Sequence, residues 1–255
     1  MMMIREFAAR EPSGAPPGPL GSDQWFPGRW VGGTALIVAP LLLLAGVLLR
    51  LQFPFFFPHQ LSAYSQHPTI LTAAYSCFLA GNILLWPAIL TVVHLIMKTR
   101  PLWAIWGGSL TLLGLFARTF HAGIDHLAFQ LVRLHGVPFA TTTVASSYGA
   151  FHVVASLNAA IFFGWIVLAI GAWRSGTLGL LPSIGLGSMA ALMMGVLKGT
   201  SPTSVIATTG LCIALLPLGT KVLWTSPRPR LRQFAVWVAF LAILSAVLFF
   251  SGQLG

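Results

Sequence analysis

The chain has 255 residues, 56% of them hydrophobic and 7% charged, and a formal net charge of +10. Soluble domains carry roughly 25% charged residues, so this chain lacks the polar groups to cover a water-facing surface. Its basic residues stand singly or in small clusters between apolar blocks, as topology determinants do, and without interleaved aromatics on a polar face they give no nucleic-acid partner.

Residues 1–28 differ from all that follows. The run EPSGAPPGPLGSDQ is rich in Pro, Gly and Ser, has mixed charge and no periodicity, and predicts a disordered cytoplasmic tail. Residues 29–255 then predict an all-α, polytopic transmembrane bundle with the lipid bilayer as its first partner. Seven blocks are long enough for a ~30 Å hydrocarbon core, which takes about 20 helical residues. They lie at about 30–51, 69–97, 102–124 with a helical extension to 134, 146–173, 178–197, 203–223 and 231–250. Each is apolar all round, as a spanning helix is, and none shows the alternation of a barrel strand. Pro40, Pro87 and Pro217 fall inside blocks and predict kinks.

Seven spans sort the basic flanks into two sets. The N-terminal set is Arg5, Arg10, Arg29, Lys98, Arg100, Arg174, Lys221, Arg228, Arg230 and Arg232; the opposite set is Arg50, Arg133 and Lys198. That asymmetry predicts a multi-pass cell-membrane protein with its N-terminus in the cytoplasm. In the fifth block Ser183, Gly187, Ala191, Gly195 and Gly199 recur every four residues. The Gly187, Ala191, Gly195 strip predicts a close helix contact, within the chain, with a second copy as a homo-oligomer, or with another membrane partner. Cys77 and Cys212 stand alone in apolar blocks and form no disulfide or zinc pattern.

The carboxylates are the most informative count. Glu6, Glu11 and Asp23 lie in the tail, and Asp125 is the one acid in the membrane region. Paired-carboxylate hydrolysis needs two acids at one bond, and a proton relay of several carboxylates is equally short of parts. Around Asp125 runs LFARTFHAGIDHLAFQLVRLHG. There Arg118, His121 and Asp125 fall at i, i+3 and i+7 on one helical face, with His126 beside it.

Arg118 is about 16 positions into the third helix, or roughly 24 Å at 1.5 Å per residue, which places the cluster towards the outer side. His152 in the fourth helix and Tyr75 and Asn82 in the second belong to the same depth. A polar pocket opening outward follows, in which Arg118 draws its counter-charge from Asp125, directly or through His121.

A zinc shell of His121, Asp125 and His152, or a haem held by His121 and His152, is the metal chemistry these residues offer. Spacing alone does not bring the third and fourth helices together for it. Ser109 lies about 18 Å by rise from His121, too far for a dyad. The last block, from Leu231, has neither lysine for a Schiff base nor histidine for a metal. Transport or ligand binding through the outward pocket is the leading expectation. A membrane enzyme using the His/Asp site and a structural or accessory subunit are its competitors.

Overall fold

The computed structural model describes residues 25–147, 153–192, 195–224 and 231–252. Among them are eight α-helices and no strand: α1 Arg29–Leu49, α2 Phe57–Gln66, α3 Pro68–Met97, α4 Pro101–Ser147, α5 Asn158–Arg174, α6 Leu180–Gly187, α7 Pro202–Trp224 and α8 Leu231–Gly252. Short 3-10 turns cover Val153–Leu157 and Ser188–Ala191. Arg29–Leu49, Pro68–Met97, Val153–Arg174 and Pro202–Trp224 are long and apolar enough to cross a membrane. A helix meets that environment because its backbone groups satisfy one another, with no water to do so. Of the expected tail, residues 1–24 lie outside the described part.

The bundle has two ends. At one, the Trp25 ring stacks on His94 of α3 at 4.3 Å, and Thr99 and Arg100, between α3 and α4, bond to the Ser175 and Arg174 carbonyls that close α5. The other end gathers the last residue after α1, the whole of α2 and the approach to α7. There Arg50 donates to the Lys198 carbonyl at 3.1 Å, and the Gly199 N–H bonds the Phe55 carbonyl at 2.8 Å. Between the two ends lies the largest of three apolar clusters among the described residues, with Leu36, Leu43, Ile89, Ile96, Trp165 and Leu168 fully buried in it.

The α4–α5 interface shows why glycine is needed at a close approach. A Cβ on Gly114 would stand 2.9 Å from Ile161 Cα, and one on Gly164 would stand 2.6 Å from the Thr111 nitrogen. Both contacts are to backbone, which cannot swing aside.

Three elements depart from the expectation. Residues 57–66, expected as outer loop, form α2. Pro58 sits in its first turn, where a missing N–H is harmless. His67, held at φ −132° and ψ 58° before Pro68, separates α2 from α3, because proline disfavours the helical conformation in the residue before it. The third block continues past 134 through Ser147, in two helical pieces joined at Gly136, φ 82° and ψ 168°, a conformation suited to glycine. The fourth block, expected as one helix over 146–173, is helical from Asn158 after a 3-10 turn, with 148–152 outside the described residues.

The fifth block needs a correction. It is not one helix over 178–197. Helix α6 stops at Gly187, a 3-10 turn carries the chain to Ala191, and Leu192 is extended at φ −68° and ψ 120°. Gly195 and Leu197 then take positive φ, 107° and 53°, incompatible with a right-handed helix. Gly187, Ala191 and Gly195 therefore do not share a helical face, and Gly187 already meets Ala169 of α5.

Candidate functional site

The broken fifth segment is where the charged residues converge. From Leu192 to Ser201 the described chain is non-helical, and its backbone polar groups need partners that a helix would have supplied. Three buried ionisable side chains supply some of them. Arg118 Nη2 donates to the Leu192 carbonyl at 2.9 Å. Asp125 Oδ1 accepts from the Leu197 N–H at 2.5 Å. Arg50 donates through Nη1 to the Lys198 carbonyl and through Nε to the Gly46 carbonyl, each at 3.1 Å. The Thr200 hydroxyl adds a bond to the Val47 carbonyl at 2.7 Å. Bonds to a charged group are worth about 1.5–3 kcal/mol each. They fasten to α4 and α1 a loop whose Leu197 sits in the left-handed region, a conformation costing about 1–3 kcal/mol.

Between this loop, α1, α3 and α4 lies a cavity of about 50 Å³. Its polar walls are Arg50, Tyr75, Arg118, His121, Asp125 and Lys198, with Ser204 at the start of α7. Arg50 is 4% exposed, Arg118 8% and Asp125 9%, so two guanidiniums and one carboxylate are held away from bulk water. The Arg50 guanidinium lies over the Tyr75 ring at 4.5 Å and the Phe78 ring at 4.9 Å, cation–π contacts that gain strength when desolvated.

The Tyr75 hydroxyl donates to Gln60 of α2 at 3.1 Å, and Gln60 donates to the Pro54 carbonyl at 2.6 Å. Helix α2 is thereby tied to Tyr75 of the cavity wall, and it packs on α4 through Tyr64 stacked on Phe129 at 4.4 Å. Lys198 is partly exposed, with its ammonium over the Phe56 ring at 4.8 Å. At the cavity wall α7 begins with a reciprocal cap. Ser201 and Ser204 each accept the other's N–H through Oγ at 3.3 Å, the arrangement of a capping box.

Of the residues expected from the sequence, the fold brings Arg118, His121, Asp125 and Tyr75 around one cavity. Asn82 is buried but elsewhere. Its Nδ2 donates to the Leu115 carbonyl and to Thr119 Oγ1, at 3.1 and 2.9 Å, tying α3 to α4. His126 is exposed and does not line the cavity. His152 lies outside the described residues, so the His121, Asp125, His152 set has no geometry here; among the described residues no three His, Cys, Asp or Glu side chains group as metal ligands.

Arg118 and Asp125 were expected to pair directly or through His121; the bonds that hold them in the fold go to the Leu192 carbonyl and the Leu197 N–H. Seven residues on one helix set them about 10.5 Å apart along the axis, and each reaches a different point of the same loop. Arg50, Lys198 and Ser204 were not foreseen. The available signal was the charge tally, in which Arg50 and Lys198 are two of only three basic residues on the sparse side.

No protein family, no characterised protein and no solved structure matches this chain.

Proposed function

We propose that this is a seven-span cell-membrane protein, N-terminus cytoplasmic, that takes a small solute into the cavity beside Leu192–Ser201 and carries it across the bilayer. The observation that carries the reading is the broken segment itself. At membrane depth, non-helical backbone is tolerated where it is buried in protein or lines a water-filled cavity. Transport proteins build solute sites from such interrupted helices, and here the interruption coincides with the cluster of buried charge. A cavity of about 50 Å³ has room for a few water molecules and is far below the roughly 300–1,000 Å³ of organic-ligand pockets, so the solute is an ion or a similarly small molecule. The span count and orientation draw support from the basic flanks: Arg29, Lys98, Arg100, Arg174 and Lys221 fall at the end where α1 begins, and Arg50 and Lys198 at the other.

One observation favours a purely structural role. The hydrogen bonds of Arg50, Arg118 and Asp125 named above all go to main chain. Flux separates the two readings. The purified protein is reconstituted into liposomes and exposed to gradients of potassium salts, with valinomycin present, and of small neutral solutes. Stopped-flow light scattering should relax faster than in protein-free vesicles for at least one small solute, and Asp125→Leu should remove the difference. Rates equal to those of empty vesicles across the panel would leave the structural role.

A further inference from the structure

We infer that residues 51–60, the strap that leaves α1 and enters α2, are the outer gate of the cavity. The inference rests on the reading of the cavity as a solute site and names the segment whose movement opens that site to the outer face.

The argument begins with the order of the chain. Of the cavity wall, Val47 and Arg50 stand at the end of α1, and Lys198 and Gly199 lead into α7. The cavity therefore lies near the end of the bundle opposite Arg29, and residues 51–60 are the next chain beyond it. They are fastened to the wall itself. The Gly199 N–H donates to the Phe55 carbonyl at 2.8 Å. The Tyr75 hydroxyl donates to Gln60 Oε1 at 3.1 Å, and Gln60 Nε2 holds the Pro54 carbonyl at 2.6 Å. The Lys198 ammonium lies over the Phe56 and Phe55 rings, 4.8 and 5.7 Å from their centroids. The layer is one chain thick. Gln60 is fully buried on its inner side, whereas Leu51 and Phe56 are each 54% exposed, and Gln52 and Pro54 are exposed as well.

Two features suit this layer to movement. Residues 51–56 form no helix, so turns and side-chain bonds hold them in place of a continuous backbone ladder, and segments of that kind open at low free-energy cost. The crossing at Gly199 is also a close one. A Cβ there would stand 2.6 Å from Gln60 Nε2 and 2.9 Å from Phe55 Cα. Gly199 does not take a positive φ, so alanine at this position meets no backbone strain and acts as a wedge between strap and wall. A carrier with alternating access needs a closure of this sort, because its site faces one side of the membrane at a time.

The test uses the full-length protein carrying Cys77→Ala, Cys212→Ser and Ser204→Cys, in sealed vesicles of either orientation. Silver ion is added to one face, and the unreacted Ser204→Cys thiol is measured after quenching and solubilisation. Two further substitutions loosen the strap by different means. Gly199→Ala wedges it from the wall and should speed the outer-face reaction about tenfold or more. Tyr75→Phe keeps a ring beneath the Arg50 guanidinium and deletes the bond to Gln60; it should speed the same reaction about two- to tenfold, the worth of one neutral hydrogen bond. The reaction from the cytoplasmic face should not rise in either variant.

A general loosening of the loop would speed reaction from both faces, and that result would overturn the inference. So would outer-face rates equal to those of the parent protein. Tyr75→Phe decides alone if Gly199→Ala does not fold. Acceleration confined to the outer face, without flux of any solute in liposomes, would keep the gate and end the transport reading. Flux in liposomes with outer access unmoved by the substitutions would do the reverse.

Discussion

Asp125 holds the Leu197 N–H, and Leu197 is the described non-glycine residue with positive φ. A carboxylate there does two separable things: it accepts a bond and it supplies charge. Asp125→Asn keeps an acceptor oxygen, whereas Asp125→Leu leaves the buried N–H unmet, at about 1–3 kcal/mol. Thermal unfolding in detergent should therefore rank Asn above Leu by a margin of that size; equal midpoints would remove the bond from the account. Arg118 and Asp125 grip the same loop at Leu192 and Leu197. A double-mutant cycle of Arg118→Gln and Asp125→Asn should still give a coupling of about 0.5 kcal/mol or more, since losing one tether frees the segment the other holds; strictly additive changes would show that the loop is not held as a unit. The face shared by Arg118, His121 and Asp125 was legible in the sequence because helical spacing is a local property. The bonds of Arg118 and Asp125 were not, because the Leu192 carbonyl and the Leu197 N–H lie 74 and 72 residues further along the chain.

Among the elements, α4 and α5 make the sharpest prediction. A Cβ at Gly164 meets the Thr111 nitrogen and the Leu110 carbonyl carbon at 2.6 and 2.8 Å, while one at Gly123 meets nothing within 4 Å. Gly164→Ala should destabilise the bundle by about 1–3 kcal/mol through forced separation of the two helices. Gly123→Ala, in an exposed helical position, should be neutral or stabilising by up to about 1 kcal/mol. Unfolding midpoints of the two variants that fall together would refute this packing. Composition made the helices legible, since apolar runs of span length can do little else in a bilayer. The break in the fifth block was hidden by the same logic. Ser183, Gly187, Ala191, Gly195 and Gly199 keep a helical spacing in sequence, and nothing local announces that Gly195 and Leu197 turn to positive φ. That turn is secured by side chains of α1 and α4, outside the segment's own residues.

For the whole molecule, the two ends of the bundle predict two faces of the membrane. Thr99, between α3 and α4, and Ser65, near the end of α2, are both exposed and lie at opposite ends. In a background with Cys77→Ala and Cys212→Ser, Thr99→Cys should react with an impermeant thiol reagent from the cytoplasmic side alone and Ser65→Cys from the outer side alone. Reaction of both from one side would refute the proposed orientation and span count. The central claim is that the cavity held between these faces serves a solute rather than merely filling space, and Ser204 reports on it most directly, being 2% exposed and part of the cavity wall. In the same background, Ser204→Cys should be modified by silver ion, a charged thiol reagent small enough for the cavity, added to either face of sealed vesicles, as a site with alternating access requires. Modification from one face only, or from neither, would contradict the account.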